Sequence, residues 1–239
     1  MLKLRSLSYA TRASLLMLAQ SAAFAEPPQN LVFGGVQVAE KSSYAYAAAI
    51  MPFSEAALGR GWYQKTLLSW SSYRYDGTLD GNTTEIKAAA PGIEAGFGHA
   101  WGNENSGIDL SATLGYRHIR LTPFAPAGDQ NGNVFTLTPQ IQARTKLSAA
   151  TEGELLASYA IGPSNLFARA RLAWLPVAGW RTGIEGVWQD EPNYAVSKQG
   201  LFVSKALDNR MVVELSAGQA KPQKDSASAY IGIAISRVY

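Results

Sequence analysis

Hydrophobic and polar residues alternate along most of the chain beyond about residue 30. Between Ile108 and Tyr116, every even-numbered residue is apolar and every odd-numbered residue is polar or glycine. The stretch from Asn133 to Leu147 shows the same period, with Phe135 and Leu137 on its apolar side. A period of two indicates a β-strand whose two faces meet different environments. The sequence therefore predicts an all-β protein.

The alternation divides the chain into about 12 predicted strands, with 10 to 14 allowed by the uncertainty of the boundaries. Many of them are longer than the average of about 5–6 residues for strands of soluble proteins. A tilted strand needs about 9–11 residues to cross a bilayer. The predicted strands cover residues 31–39, 43–52, 61–75, 84–100, 107–122, 133–148, 152–161, 165–175, 180–189, 194–206, 210–219 and 228–239.

Two further features favour a membrane barrel over a soluble β-sandwich, which is the alternative fold. The tryptophans fall near predicted strand ends, where an interfacial aromatic girdle would place them; they are Trp62, Trp70, Trp101, Trp174, Trp180 and Trp188. The last strand alternates and ends on Tyr239, although Arg237 interrupts its apolar face. We therefore predict a closed antiparallel up-and-down transmembrane β-barrel in the bacterial outer membrane, because closure pairs every backbone group in lipid.

An even strand number predicts that both ends of the barrel domain lie on the periplasmic side. Short periplasmic turns are then expected at 106–107, 176–179 and 207–209, together with one long periplasmic connection at 51–60. Longer extracellular loops are expected at 75–82 and 122–132. The apolar phase reverses at Pro91-Gly92, which predicts a β-bulge with one extra residue.

Residues 1–25 predict a cleaved signal peptide, leaving a single barrel domain at 26–239. Lys3, Arg5 and Arg12 precede or open a short apolar segment, and Ala23-Phe24-Ala25 forms an A-x-A cleavage box. An N-terminal anchor helix is the alternative, but the apolar run is short for one.

The charge balance argues against a nucleic-acid partner. The whole chain has 21 Lys+Arg and 18 Asp+Glu. Three of the basic residues lie in the predicted signal peptide, so the mature chain would carry 18 of each sign. The chain has no cysteine, which excludes disulfides and thiolate metal sites. The two histidines, His99 and His118, lack the serine of a His-x-Ser lipid-hydrolase motif, so we expect no catalytic residue, no metal site and no cofactor.

Two groups of residues are candidates for the site. Charged side chains on proposed inward faces predict either a polar pore or, as we favour, a lumen packed with ion pairs; they are Glu85, Lys87, Glu94, Asp109, Arg117, Arg144, Lys146, Arg169, Arg171, Glu185 and Glu214. The second group, Trp70, Tyr73 and Tyr75, would either stack on sugars or, as we favour, belong to the outer aromatic girdle.

Several stretches resemble the BcsS family of cellulose biosynthesis proteins. They are Phe33-Gly34-Gly35, Ser43-Tyr44-Ala45-Tyr46-Ala47-Ala48-Ala49, Gly59-Arg60-Gly61-Trp62, Tyr73-Arg74-Tyr75-Asp76-Gly77 and Ala90-Pro91-Gly92-Ile93-Glu94-Ala95. The resemblance implies a non-enzymatic outer-membrane barrel that assists cellulose export, surface anchoring or assembly. Outer-membrane lipid, and cellulose or components of the cellulose synthase complex, are the partners it implies. A small general pore and a lipid-modifying enzyme are the alternatives.

Overall fold

The computed structural model describes residues 29–79, 82–123, 131–162, 164–191, 194–207, 210–223 and 226–239. The predicted signal peptide lies outside these residues, as do most of the predicted loop at 122–132 and part of the predicted turn at 207–209. Within the described ranges, no helix is long and apolar enough to span a membrane.

The described residues form a closed antiparallel barrel of 12 strands, which confirms the predicted fold class. Each strand pairs with its neighbours in sequence, and β1 closes the barrel against β12 from Leu31↔Val238 to Ala39↔Tyr230. The strands are β1 (Leu31–Ala39), β2 (Ser42–Pro52), β3 (Gly61–Leu79), β4 (Asn82–Gly102), β5 (Ser106–Thr122), β6 (Gly132–Lys146), β7 (Thr151–Ala160), β8 (Asn165–Trp174), β9 (Trp180–Glu191), β10 (Tyr194–Ala206), β11 (Met211–Pro222) and β12 (Ser228–Val238).

Alternate residues of every strand point away from the lumen, and most of these outward residues are apolar. Side chains such as Leu114, Phe135 and Ile231 are between 63% and 74% exposed, which is the signature of a surface that meets lipid. All six tryptophans lie on this face. Trp62 and Trp70 on β3 are separated by eight residues, which corresponds to a band about 20 Å high for a tilted strand.

The two ends of the barrel differ in shape. Leu31 and Val238 lie at one end, here called the terminal end, and the connections there include the long segment between β2 and β3. At the opposite end, here called the hairpin end, β3 and β4 continue far beyond Trp70 and are joined only by residues 80–81. The predicted loop at 75–82 is therefore wrong, because Tyr75 to Leu79 pair with Asn82 to Ile86 as a strand ladder.

The predicted bulge at Pro91-Gly92 is also wrong. β4 keeps one register with β3 along its whole length, and its register with β5 is the same at Ala89↔Arg120 as at Gly92↔Arg117. The apolar phase reverses because the surroundings of the outer face change. Pro91 pairs with Trp70, and beyond this point the outward side chains of β4 include Glu85 and Lys87, which suit water and not lipid.

Candidate functional site: the interior of the barrel

The interior of the terminal end is closed on one side by an apolar cluster, here called the base cluster. It combines inward residues of β1 to β4 and β12 with Leu58 from the β2–β3 connection, which is 4% exposed. The connection thus folds back against the interior of the barrel. The buried members are Leu31, Phe33, Ala48, Ile50, Leu58, Tyr63, Ala100 and Val238.

On the other side of the terminal half, an arginine from β8 is held between two carboxylates. Arg171 donates to Glu185 through Nε and Nη2, at 2.9 and 2.7 Å, and to Glu214 through Nη1 and Nη2, at 3.0 and 2.8 Å. Tyr230 donates to the other oxygen of Glu185 at 2.8 Å. The planar guanidinium thus donates to two carboxylates at once, and these hydrogen bonds join β8, β9 and β11 across the lumen.

A second arginine, from β9, also lies between two carboxylates, closer to the terminal end. Arg181 Nη2 lies 2.6 Å from Glu154 Oε1, and its Nε lies 3.5 Å from Glu152 Oε2. The ring of Phe202 lies between the two arginines, with the guanidinium carbons of Arg171 and Arg181 at 4.5 and 5.8 Å from its centroid. These charged side chains are almost fully buried, so the terminal half of the lumen is packed and not open.

Polar pairs complete the packing between β3, β5 and β6. Tyr63 donates to Asp109 at 2.7 Å, and Lys65 donates to Gln140 at 3.0 Å. Tyr63 reaches this position because it lies over Gly98, where a Cβ atom would come within 2.2 Å of its hydroxyl. Gly200 gives Tyr230 the same space. Glycines opposite large rings therefore give these rings room inside the lumen.

The hairpin half of the interior contains a cavity. A cavity of about 340 Å³, here called the vestibule, lies above the packed terminal half and reaches residues near the hairpin end such as Ser42 and Asn165. Its wall carries Tyr44 and Tyr46, whose rings are stacked with centroids 5.6 Å apart. Charged residues in the wall are Lys65, Glu94, Arg117, Arg169, Arg171, Glu185, Lys198 and Glu214.

The sequence-predicted charged candidates divide into two groups. Inward positions are occupied by Glu94, Asp109, Arg117, Arg144, Lys146, Arg169, Arg171, Glu185 and Glu214. Glu85 and Lys87 instead point outward, where Glu85 lies 3.7 Å from Arg74 and 3.8 Å from Lys87. The sequence predicts them inward only because it predicts a bulge at Pro91, and without the bulge they face outward.

Several interior charges were missed by the sequence reasoning, namely Lys65, Glu152, Glu154, Arg181 and Lys198. For most of them, the alternation of apolar and polar residues along the strand already indicates an inward position. Glu152 and Glu154 share a face of β7, opposite to Leu155 and Tyr159. Their ion-pair partner Arg181 is 27 residues from Glu154 in sequence, so this ion pair could be identified only from the three-dimensional structure.

The aromatic candidates do not form one group. Trp70 lies on the outer face and is 49% exposed, as expected of a girdle residue. Tyr73 and Tyr75 lie on the inner face, where they pack against the apolar cluster of Ile86, Ala88 and Leu121. Tyr73 also lines the vestibule.

Both histidines lie on the outer face. His99 packs between Trp62 and Trp101, with ring centroids 4.9 and 4.2 Å apart, near the terminal end. His118 Nδ1 lies 2.8 Å from Asn133 Oδ1 near the hairpin end. Among the described residues, no group of three or more His, Asp or Glu side chains is placed to hold a metal ion.

The family model described as cellulose biosynthesis protein BcsS matches residues 31–239. The chain belongs to the BcsS family. The match spans every strand of the barrel, so this family member is identified over the whole fold and not over one motif. A comparison with curated proteins gives no match.

Solved structures similar to this family member are outer-membrane barrels. The KdgM porin in complex with disordered oligogalacturonate has a TM-score of 0.55 at 7% identity, covering 87% of this chain and 99% of that one. An outer membrane channel of Pseudomonas putida F1 has a TM-score of 0.52 at 11% identity, covering 90% and 97%. The β domain of the Bordetella autotransporter BrkA has 0.52 at 13%, covering 89% and 99%. At these identities the likeness concerns the fold, and the protein is an outer-membrane barrel.

Proposed function

We propose that this protein is a non-enzymatic accessory of bacterial cellulose production, acting in export, surface anchoring or assembly at the outer membrane. The observation that carries the proposal is the BcsS family match over residues 31–239. Cellulose made at the inner membrane has to pass the outer one, so a barrel there can assist the polymer on its way out or hold it at the surface.

The packed interior favours an accessory role over that of a conduit. Arg181 and Phe202 are each 2% exposed in the terminal half, and the base cluster fills the other side. A glucan chain would have to displace buried ion pairs, each costly to break because the partner charge would remain in a low-dielectric site. Contact with cellulose would instead take place at the hairpin end, where the vestibule and the extended β3–β4 hairpin lie.

The test is deletion of the gene, followed by measurement of secreted cellulose and of fibre organisation by microscopy. We expect less cellulose or disordered fibres, with recovery when the wild-type gene is returned. Unchanged amount and organisation would overturn the proposal. Returning a variant with residues 74–87 replaced by a short Asn-Gly turn separates the hairpin from the rest of the barrel, and we expect this variant to fail if the hairpin end is the contact site.

A small general pore is the second candidate function. The vestibule is its main support, together with the similarity of the fold to channels and porins. A pore needs a route through the terminal half, and in the described residues that half is packed with buried side chains.

A lipid-modifying enzyme is the least supported alternative. His99 contacts two tryptophans and His118 contacts an asparagine, so among the described residues neither histidine is seen beside a serine nucleophile. Replacing both histidines with alanine should leave the lipid profile of the outer membrane unchanged. A changed profile in mass spectrometry would revive this alternative.

A further inference from the structure

The wall of the vestibule carries more positive than negative charge. Its cations are Lys65, Arg117, Arg169, Arg171 and Lys198, and its acids are Glu94, Glu185 and Glu214. The acids already have donors: Glu185 and Glu214 are held by Arg171, and Glu94 accepts from Thr113 at 2.7 Å. The acids therefore do not neutralise the remaining cations by direct pairing.

Two of the arginines have no direct partner. Among the described residues, neither Arg117 nor Arg169 has a hydrogen-bond or ion-pair partner, and both are only partly buried in the vestibule wall. Lys65 and Lys198 differ from them, because each donates to a neutral glutamine, Gln140 and Gln37. Guanidinium groups left free in a cavity are suited to carboxylate or phosphate groups, which they bind through two parallel hydrogen bonds.

The unpaired arginines share the wall of the vestibule with the stacked tyrosines. Arg117 and Arg169 line the same cavity as Tyr44 and Tyr46. Thr138 Oγ1 and Gln140 Nε2 are buried in the same wall and lack a hydrogen-bond partner among the described residues. Hydroxyl and amide groups of this kind match the hydroxyls of a sugar, and aromatic rings offer apolar faces to its C–H groups.

We propose that the vestibule binds an anionic oligosaccharide, whose acidic groups are held by Arg117 and Arg169 while its sugar rings lie against Tyr44 and Tyr46. The inference does not depend on the proposed role in cellulose production, since it rests on the charges and shape of the cavity. In this proposal the oligosaccharide enters the vestibule from the hairpin end and stops at the packed terminal half.

Isothermal titration calorimetry tests the proposal on the full protein extracted in detergent micelles. The ligands are cellohexaose and cellohexaose oxidised to carboxylates at C6, which match in length and differ in charge. We expect the oxidised form to bind at least about 10-fold more tightly, and its affinity to fall as salt is raised. Equal affinities for the two would overturn the anionic part, and competition by inorganic phosphate at equal concentration would overturn the saccharide part.

Variants locate the site. Arg117→Gln and Arg169→Gln should each weaken binding of the oxidised ligand about 10-fold, since each removes one charge-assisted contact. Arg120→Gln is the matched control, because Arg120 lies on the outer face of the same strand as Arg117. Arg117→Lys and Arg169→Lys keep the charge and should bind with intermediate affinity. A double glutamine variant that remains folded, as judged by heat-dependent gel mobility, and binds as tightly as the wild type would contradict the proposal.

Discussion

Buried arginines in this barrel lie between carboxylates from more than one strand. Arg171 is hydrogen-bonded to Glu185 and Glu214, and Arg181 is ion-paired with Glu152 and Glu154. Burial of one charge is costly, and the cost is offset only when partners supply both opposite charge and hydrogen bonds. The Arg171 cluster meets both conditions, so its residues depend on one another, whereas in the Arg181 cluster both Glu152 oxygens lack a hydrogen-bond partner among the described residues.

Replacing Arg171 with methionine should strongly destabilise the barrel, because Glu185 and Glu214 would lose their shared cation while remaining buried. We expect a loss of about 3–5 kcal/mol in the free energy of unfolding. Urea unfolding followed by tryptophan fluorescence in lipid vesicles measures it. Arg120→Gln on the outer face is the control and should stay within about 0.5 kcal/mol of the wild type. Equal stability of the two variants would show that the arginine is not needed.

Gly200 allows a close approach of Tyr230 in the lumen. A Cβ atom there would lie 2.3 Å from the tyrosine hydroxyl and 2.5 Å from the carbonyl oxygen of Ala217. Gly200→Ala should therefore lower the free energy of unfolding by about 1–3 kcal/mol and release Tyr230 from Glu185. Gly186→Ala is the matched control on the adjacent strand, because nothing lies within 4 Å of its Cβ position. The same urea titration compares them, and an undiminished stability of Gly200→Ala would contradict the account.

At the scale of the strand, β4 shows how one continuous element meets two environments. Between Pro91, which pairs with Trp70, and the terminal end, the outer residues of β4 are apolar, as in Ile93 and Phe97. Its inner residues there include Glu94. Between Pro91 and the hairpin end the distribution reverses, so that a charged residue, Lys87, points outward and an apolar residue, Ala88, points inward. The backbone alternation never changes; what changes is the solvent outside it.

Cysteine labelling in intact cells tests this arrangement. The chain has no cysteine, so a single introduced thiol gives an unambiguous signal. Lys87→Cys should react rapidly with a membrane-impermeant maleimide, because the side chain is exposed on the protruding hairpin. Ala88→Cys should be protected, because Ala88 is 2% exposed. The reverse result would indicate that a bulge rotates this part of β4, as the sequence pattern alone suggested.

The same strand shows how far sequence reasoning extends. Strands were predictable wherever one face is apolar over many residues, as in β5 between Ile108 and Tyr116, because lipid demands an unbroken apolar series. At Pro91 the pattern reversed, and sequence alone could not distinguish an inserted residue from a change of solvent. The inward charges on β8 followed from alternation, whereas the pairing of Arg171 with Glu214, 43 residues away, depended on closure of the barrel.

At the scale of the whole molecule, the barrel is packed at the terminal end, and toward the hairpin end it contains the vestibule beside two small apolar clusters. The packed half consists of the base cluster and the two arginine clusters, and the vestibule lies between this half and the hairpin end. Twelve strands enclose more space than the eight-stranded barrels that side chains fill, and less than the open channels of sixteen or more. Large charged side chains fill the terminal half of that space, and glycines leave room there for the rings of Tyr63 and Tyr230.

Conductance across a planar lipid bilayer tests most directly whether this barrel is a closed accessory or a pore. The refolded protein is added to the bilayer after its insertion has been verified by flotation with vesicles of the same lipid. We predict no steady current, because the packed terminal half blocks ions. A stable, reproducible step in current at each insertion of the wild-type protein would contradict the account.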